Sequence, residues 1–229
     1  MDTTERIGII IQARMSSTRL PGKSLRELGG KPMLQVLCER LQCIRAVDIL
    51  IVAVSDQPSD DRLAHLVQTL GVHLFRGDLS NVQKRYYDAA VQYGLDVIIR
   101  VTGDNPFTSP KLIERMIDEW RTNRVDYIAC DKCILGTGAE LFTRESFEHV
   151  CASSPSTYDE EHVTPPYYQQ QGRFRTSVVT APPVLQHPSL SLTVDTEDDF
   201  ERIRSLFHAT GNNPEVPLPE IIRHYTQGA

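Results

Sequence analysis

The 229 residues carry a net charge of −6, with 40% apolar and 24% charged residues and a pI near 5.6. That balance is expected of a soluble domain with a sizeable core and lacks the basic surplus a nucleic-acid binder needs. No apolar run reaches the roughly 18 residues of a membrane span, and the polar start MDTTERIGIII does not read as a signal peptide, so a cytoplasmic protein without a membrane partner is expected.

The first element is an unbroken apolar run, Ile7 to Ile11, that stops at Gln12 and delivers a loop containing Arg14, Ser16, Ser17, Thr18, Arg19, Pro21, Gly22 and Lys23. Between Arg14 and Lys31 five basic residues stand against one acid, Glu27, so positive charge is concentrated beside the first strand of an otherwise acidic chain. A small polyanion suits that local surplus: backbone N–H groups of such a turn cradle phosphate oxygens, and lysine and arginine supply the charge a triphosphate requires. Gly22-Lys23-Ser24 is not a P-loop, because the glycine that motif requires five positions earlier is Ser17.

Pro32 to Gln42 places Met33, Leu34, Leu37, Cys38 and Leu41 at helical spacing. Asp48 to Val54 reads as a strand buried on both faces, an acidic turn from Asp56 to Asp61 leads to a helix over roughly 60–70, and Val72 to Phe75 is a short third strand. A loop, RGDLSN, precedes a helix over roughly 82–93, and a fourth strand, Asp96 to Val101, runs into Thr102-Gly103-Asp104-Asn105-Pro106. A helix over roughly 110–122 and a strand at 127–130 follow. The repeated strand–helix order predicts one α/β domain over 1–229, a doubly wound, mostly parallel, Rossmann-like sheet. Ligands in such sheets sit beyond the carboxyl ends of the strands, where the Gln12 loop, the Asp56 turn and the Asp104 turn converge.

After Leu135 the rhythm changes. A bent strand at AELF and a helix over roughly 144–152 lead to SSPSTYDEEHVTPPYYQQQG, in which Pro165-Pro166 argues against a simple helix. Strands are expected at 174–180 and 190–194, and a helix over 196–209 with Thr196 and Asp199 at capping-box spacing. Residues 136–188 read as an insertion serving as a lid or dimer contact. The five cysteines are odd in number and scattered, which fits a reducing compartment, and Cys130 and Cys133 form a CxxC with no second pair to complete a zinc site. They read as half-buried strand cysteines.

Asp104 and Asp195 end the fourth and last strands and can reach the same sheet edge, as a Mg²⁺ site built from one or two carboxylates and substrate phosphates requires. Either aspartate also serves as an ordinary turn or helix-start residue. For a second substrate the candidates are Arg76, Asn81 and Arg85, with Arg85 able to hold a carboxylate bidentately, and Asn105, Glu140 and His162.

Five ordered segments, QARMSSTRLPGK, FRGDLSNVQKRYYDAA, RVTGDNPF, EEHVTP and LTVDTEDDF, together resemble the CMP-sugar synthetases, the cytidylyltransferases acting on Kdo and sialic acids, and in particular their spore-coat polysaccharide branch. The resemblance implies a nucleotide-diphospho-sugar transferase fold, transfer of CMP from CTP to an acidic sugar with release of pyrophosphate, Mg²⁺ as cofactor and a homodimer. By the same resemblance Arg14 and Lys23 grip the triphosphate with Arg19 assisting, the main chain at Gln12 and Ala13 faces the nucleobase, and Ser16 and Ser17 donate to phosphates. Asp56 joins the nucleotide side, and Asp104 and Asp195 bind the metal. A phosphonate acceptor, a glycosyltransferase of the same general fold, and a catalytically idle nucleotide-binding subunit are the alternatives; the glycosyltransferase normally shows Asp-x-Asp where this chain has Thr102-Gly103-Asp104.

Overall fold

The computed structural model describes residues 5–153, 156–170, 172–187 and 189–227. Among them, β1 (Ile7–Gln12), β2 (Glu27–Leu28), β3 (Lys31–Pro32), β4 (Ile49–Ser55), β5 (His73–Gly77), β6 (Val97–Thr102), β7 (Tyr127–Asp131), β8 (Glu140–Thr143) and β9 (Thr176–Thr180) alternate with helices. These are α1 (Met33–Gln42), α2 (Asp61–Thr69), α3 (Val82–Gln92), α4 (Pro110–Asn123), α5 (Arg144–Ala152), α6 (Thr157–His162), α7 (Pro165–Gln169), α8 (Glu197–Ala209) and α9 (Leu218–Gln227). Seven strands form one sheet in the order β5-β4-β1-β6-β8-β7-β9, in which β8 alone runs antiparallel to its neighbours, while β2 and β3 make a separate short hairpin.

The isoleucine run places β1 at the centre of the parallel half. Ile9 and Ile11 join Leu34, Leu37, Val52, Val101, Ile113 and Met116 on one face, whereas Ile10 joins Ile51, Ile98, Tyr86 and Ala89 on the other. This is the period-two alternation of a strand covered on both sides, each fully buried isoleucine contributing about 1.5–3 kcal/mol of transfer free energy. Gln12 registers with Ala53 of β4 and Thr102 of β6, so three strand ends, and the loops they launch, open at one edge.

Three expectations need correction. Residues 190–194 contain no strand, only an isolated parallel bridge between Leu135 and Ser191, because this stretch bonds to loops: Leu192 N donates to Leu135 O and Val194 N to Asp104 O. Pro165-Pro166 opens α7 rather than preventing it, since the first helical positions need no N–H donor. Within 136–188, β8 and β9 are integral to the main sheet, β8 wedged between β6 and β7, so that only the helical part of this segment lies beside the cleft described below. Helix α9 was not anticipated; Leu218, Ile221 and Ile222 bury its inner face.

Candidate active site

A cleft of about 350 Å³ opens at the carboxyl edge of β1 and β6. Ten of the residues singled out from sequence line it: Gln12, Ala13, Arg14, Ser17, Arg19, Lys23, Arg85, Asp104, His162 and Asp195. Thr18, Ser24, Val82, Arg100, Thr102, Gly103 and Glu161 also line it. All seven lie inside or directly beside the segments quoted above, so their identity was visible but their orientation was not.

One pole is cationic and acidic at once. Lys23, whose side chain is 12% exposed, donates from Nζ to Asp104 Oδ2 at 3.3 Å, Asp195 Oδ1 at 3.1 Å and the Val194 carbonyl at 2.6 Å. Arg19 adds a second contact to Asp195 Oδ1 at 3.1 Å. Two formal positive charges thus balance two negative ones. Gly103 makes the assembly possible: a Cβ there would stand 2.9 Å from the Gln12 carbonyl and 3.0 Å from Ala13 Cβ, so only glycine lets the β6 end approach the loop this closely. Asp195 is oriented by the start of α8, where Thr196 Oγ1 and Asp199 form a reciprocal capping box and Asp199 Oδ2 also accepts from Asp195 N at 3.1 Å.

The loop is braced by a residue that sequence reasoning passed over. Asp60 is fully buried and accepts from Met15 N at 2.7 Å, Ser55 N at 2.9 Å and Ser55 Oγ at 2.5 Å, tying the loop to the end of β4. Asp56, the acid placed on the nucleotide side, is exposed, bonds to the Gln57 amide and does not line the cleft. It leaves the strand end pointing at solvent, and the chain needs one more turn before a carboxylate can fold back under the loop.

Other candidates also fall outside the cleft lining. Ser16 is exposed; Arg76 pairs with Asp61 at 2.7 Å and donates to the Ser55 and Gln57 carbonyls. Asn81 caps α3 by accepting from Lys84 N and reaches Glu160 Oε1 at 2.8 Å; Asn105 donates to Thr102 Oγ1 at 2.7 Å. Glu140 is a hub, accepting from Arg100 and Tyr127 Oη at 2.5 Å each and from Thr164 Oγ1 at 2.7 Å. Its role is to order the opposite wall.

That wall carries Arg85 and Arg100. Arg85 is 1% exposed, donates to the Asp78 carbonyl at 2.8 Å, and leaves Nε without a protein partner; burial pulls its pKa below the usual arginine value. Burial acts against the Arg100 charge as well, but Glu140 outweighs it and raises the pKa. Above them, Val163 sits at φ 73° and ψ −53°, with Thr164 N donating to the His162 carbonyl at 2.9 Å: a strained γ-turn in a β-branched residue. It ends α6 so that Glu161 and His162 face the cleft, where Glu161 meets Arg14 at 3.5 Å.

For a metal, the described residues hold no cluster of three or more His, Cys, Asp or Glu groups. Asp104 Oδ1 is nonetheless buried without a hydrogen-bond partner, and the Lys23 ammonium stands between Asp104 and Asp195 as a cation would. A hard divalent ion taking two carboxylates and completing its shell from phosphates and water fits that donor set.

A doubly wound sheet with a phosphate-type loop on its first strand and paired carboxylates across the cleft defines a nucleotidyltransferase of the nucleotide-diphospho-sugar transferase fold. A cytidylyltransferase family model matches residues 8–215, and the chain belongs to that family, whose members are CTP-dependent nucleotidyltransferases. It is 38% identical over 192 residues to an uncharacterized protein of Methanocaldococcus jannaschii, covering 84% of this chain and 79% of that one. It is 35% identical over 219 residues to the spore coat polysaccharide biosynthesis protein SpsF of Bacillus subtilis, covering 93% and 91%. With the 3-deoxy-manno-octulosonate cytidylyltransferase of Geobacter sulfurreducens it shares 37% identity over 113 residues, 48% of this chain and 44% of that one. A solved cytidylyltransferase from Leptospira borgpetersenii superposes with a TM-score of 0.91 at 28% identity, over 98% of this chain and 95% of the other. These likenesses set the chain among the CMP-sugar synthetases, on the SpsF-like branch.

Proposed function

We propose that this cleft transfers CMP from CTP to an acidic sugar, of the nonulosonic or Kdo-like class, releasing pyrophosphate and serving surface polysaccharide synthesis. The observation that carries the reading is Lys23, held at the end of the loop between Asp104 and Asp195. The name of the B. subtilis relative supports the polysaccharide assignment, and the 3-deoxy-manno-octulosonate relative supports a sugar acid. The reaction belongs in the cytoplasm, where CTP is made, and the enzyme works as a homodimer.

In this mechanism the acceptor's anomeric hydroxyl gives up its proton to solvent and its oxygen forms a bond to the α-phosphorus as the bond from that phosphorus to the β-phosphate bridging oxygen breaks in line. Arg14, Arg19 and Lys23 take up the charge gathering on departing pyrophosphate, and the fixed loop supplies most of the rate by positioning and electrostatics. The main chain at Gln12 and Ala13 borders the nucleobase. Mg²⁺ held by Asp104 and Asp195 supplies charge neutralisation at the phosphates when bound. The wall of Arg85, Arg100 and His162 receives the acceptor.

The test follows pyrophosphate with Mg²⁺, each common nucleoside triphosphate and a panel of acidic sugars. CTP with one sugar acid is the expected productive pair; preference for another nucleotide, or turnover only with neutral sugars, overturns the assignment.

A further inference from the structure

Cys130 and Cys133 lie outside the cleft and have no part in the reaction above. Cys130 is in β7, registered with Val179 of β9. Lys132 then takes φ +52°, a turn that folds Cys133 back until its Sγ stands 4.0 Å from the Cys130 carbonyl oxygen. Gly138 leaves the space the two side chains share: the place a Cβ would take there is 3.0 Å from Cys133 Sγ and 3.6 Å from Cys130 Cβ. Both residues are half-buried, so the pair is reachable from solvent. Among the described residues they are not part of a cluster of three or more metal-capable groups.

We infer that Cys130 and Cys133 are a redox-active dithiol that closes to an intramolecular disulfide when it meets a peroxide. Cys133 is the attacking sulfur. The neighbouring Cys130 thiol leads the causes that bring its pKa down to about 7, against burial and Asp131, while the Cys133 side chain, together with burial, raises that of Cys130. The Cys133 thiolate attacks one peroxide oxygen, the O–O bond breaks, and protonation of the departing oxygen gives an alcohol, or water from hydrogen peroxide. The Cys130 sulfur then attacks the Cys133 sulfenic acid, forming the S–S bond and expelling water. Two thiols and one hydrogen peroxide thus become one disulfide and two waters, the sulfurs losing two electrons and the peroxide gaining them.

The dithiol sits at one end of a turn whose other end touches the extended segment leading to Asp195. Leu192 N donates to Leu135 O at 2.7 Å, and Gly136 packs so tightly that a Cβ there would lie 2.5 Å from Thr193 N. Val194 follows, bonded through its carbonyl to Lys23 and through its amide to Asp104. Closing the disulfide therefore acts on the segment that presents Asp195.

The experiment treats reduced full-length protein with stoichiometric hydrogen peroxide, alkylates the remaining thiols and maps peptides by mass. A 130–133 peptide lighter by about 2 Da than its reduced form, restored by dithiothreitol, is expected. In the Cys130→Ser variant a dimedone adduct should accumulate on Cys133. In untreated wild-type protein, Cys133 should alkylate roughly fivefold faster than exposed Cys43 at neutral pH, its larger thiolate fraction outweighing its weaker nucleophilicity. Hydrogen exchange at Leu192 and Val194 should change on oxidation. Alkylation of both 130 and 133 after peroxide treatment, or a disulfide to Cys43 instead, overturns the dithiol; a disulfide that leaves exchange at 192–194 untouched overturns its coupling to Asp195.

Discussion

Lys23 Nζ lies 3.1 Å from Asp195 Oδ1 although 172 residues separate them, and the same nitrogen is 3.3 Å from Asp104 Oδ2. One ammonium therefore holds together the loop after the first strand, the end of the fourth parallel strand and the start of α8.

Replacing Lys23 by Ala should lower kcat by roughly 100- to 1,000-fold, the loss typical of a group that meets charge developing in the transition state. The KM for CTP should rise much less, and far-ultraviolet circular dichroism should stay unchanged. Equal activity in variant and wild type would place the reaction elsewhere.

Chelation by EDTA should abolish pyrophosphate release, with Mg²⁺ or Mn²⁺ restoring it. Asp104→Asn should raise the Mg²⁺ concentration needed for half-maximal rate, because it removes the charge of one of the two carboxylates that would hold the metal. An unchanged Mg²⁺ titration would remove Asp104 from the metal site.

Asp60→Ala leaves Met15 N, Ser55 N and Ser55 Oγ without their buried acceptor. The expected loss is about 3 kcal/mol in urea unfolding, together with a raised KM for CTP. Asp60→Asn, which keeps one carbonyl oxygen, should lose less on both measures.

Acid should unfold the protein partly through Asp199. Burial opposes its charge, but hydrogen bonds from Arg202, Thr196 and the Asp195 and Thr196 amides outweigh it and lower the pKa from 3.8 to about 2. A depressed folded-state pKa gives stability that is present above the unfolded value and lost as pH falls towards the folded one. Stability should therefore drop by about 2 kcal/mol between pH 5 and pH 2, and Asp199→Asn should flatten that part of the profile. A profile identical in the two proteins would assign the acid sensitivity to other carboxylates.

The homodimer is checked by sedimentation equilibrium at micromolar concentration. A mass near twice 25.9 kDa is expected, and a purely monomeric species excludes the dimer.

Much of the architecture was legible because it rests on short-range patterns. The isoleucine run, the amphipathic spacing of 33–41 and the Thr196–Asp199 box each specify their own element. Orientation was the weak point. Asp56 and Asp60 are equally acidic in sequence, and only the turn over Pro58–Asp60 decides which reaches back beneath the loop. Leu190–Val194 alternates like a strand, yet its amides at 192 and 194 go to single carbonyls in other loops. Arg100, an interruption in an apolar strand, proved to be a cleft residue neutralised by Glu140 from the neighbouring antiparallel strand.

By itself the sequence determined the strand–helix order of the parallel half, the family and the cationic character of the loop from Arg14 to Lys23, since hydrophobic period and local composition are properties of neighbouring residues. Tertiary structure decided which charges meet. Lys23 comes to Asp104 and Asp195 only because Gly103 lets two backbones approach and because the register of β1 with β6 brings their ends level. Coulombic contact depends on distance in space, which hydrophobic periodicity does not encode.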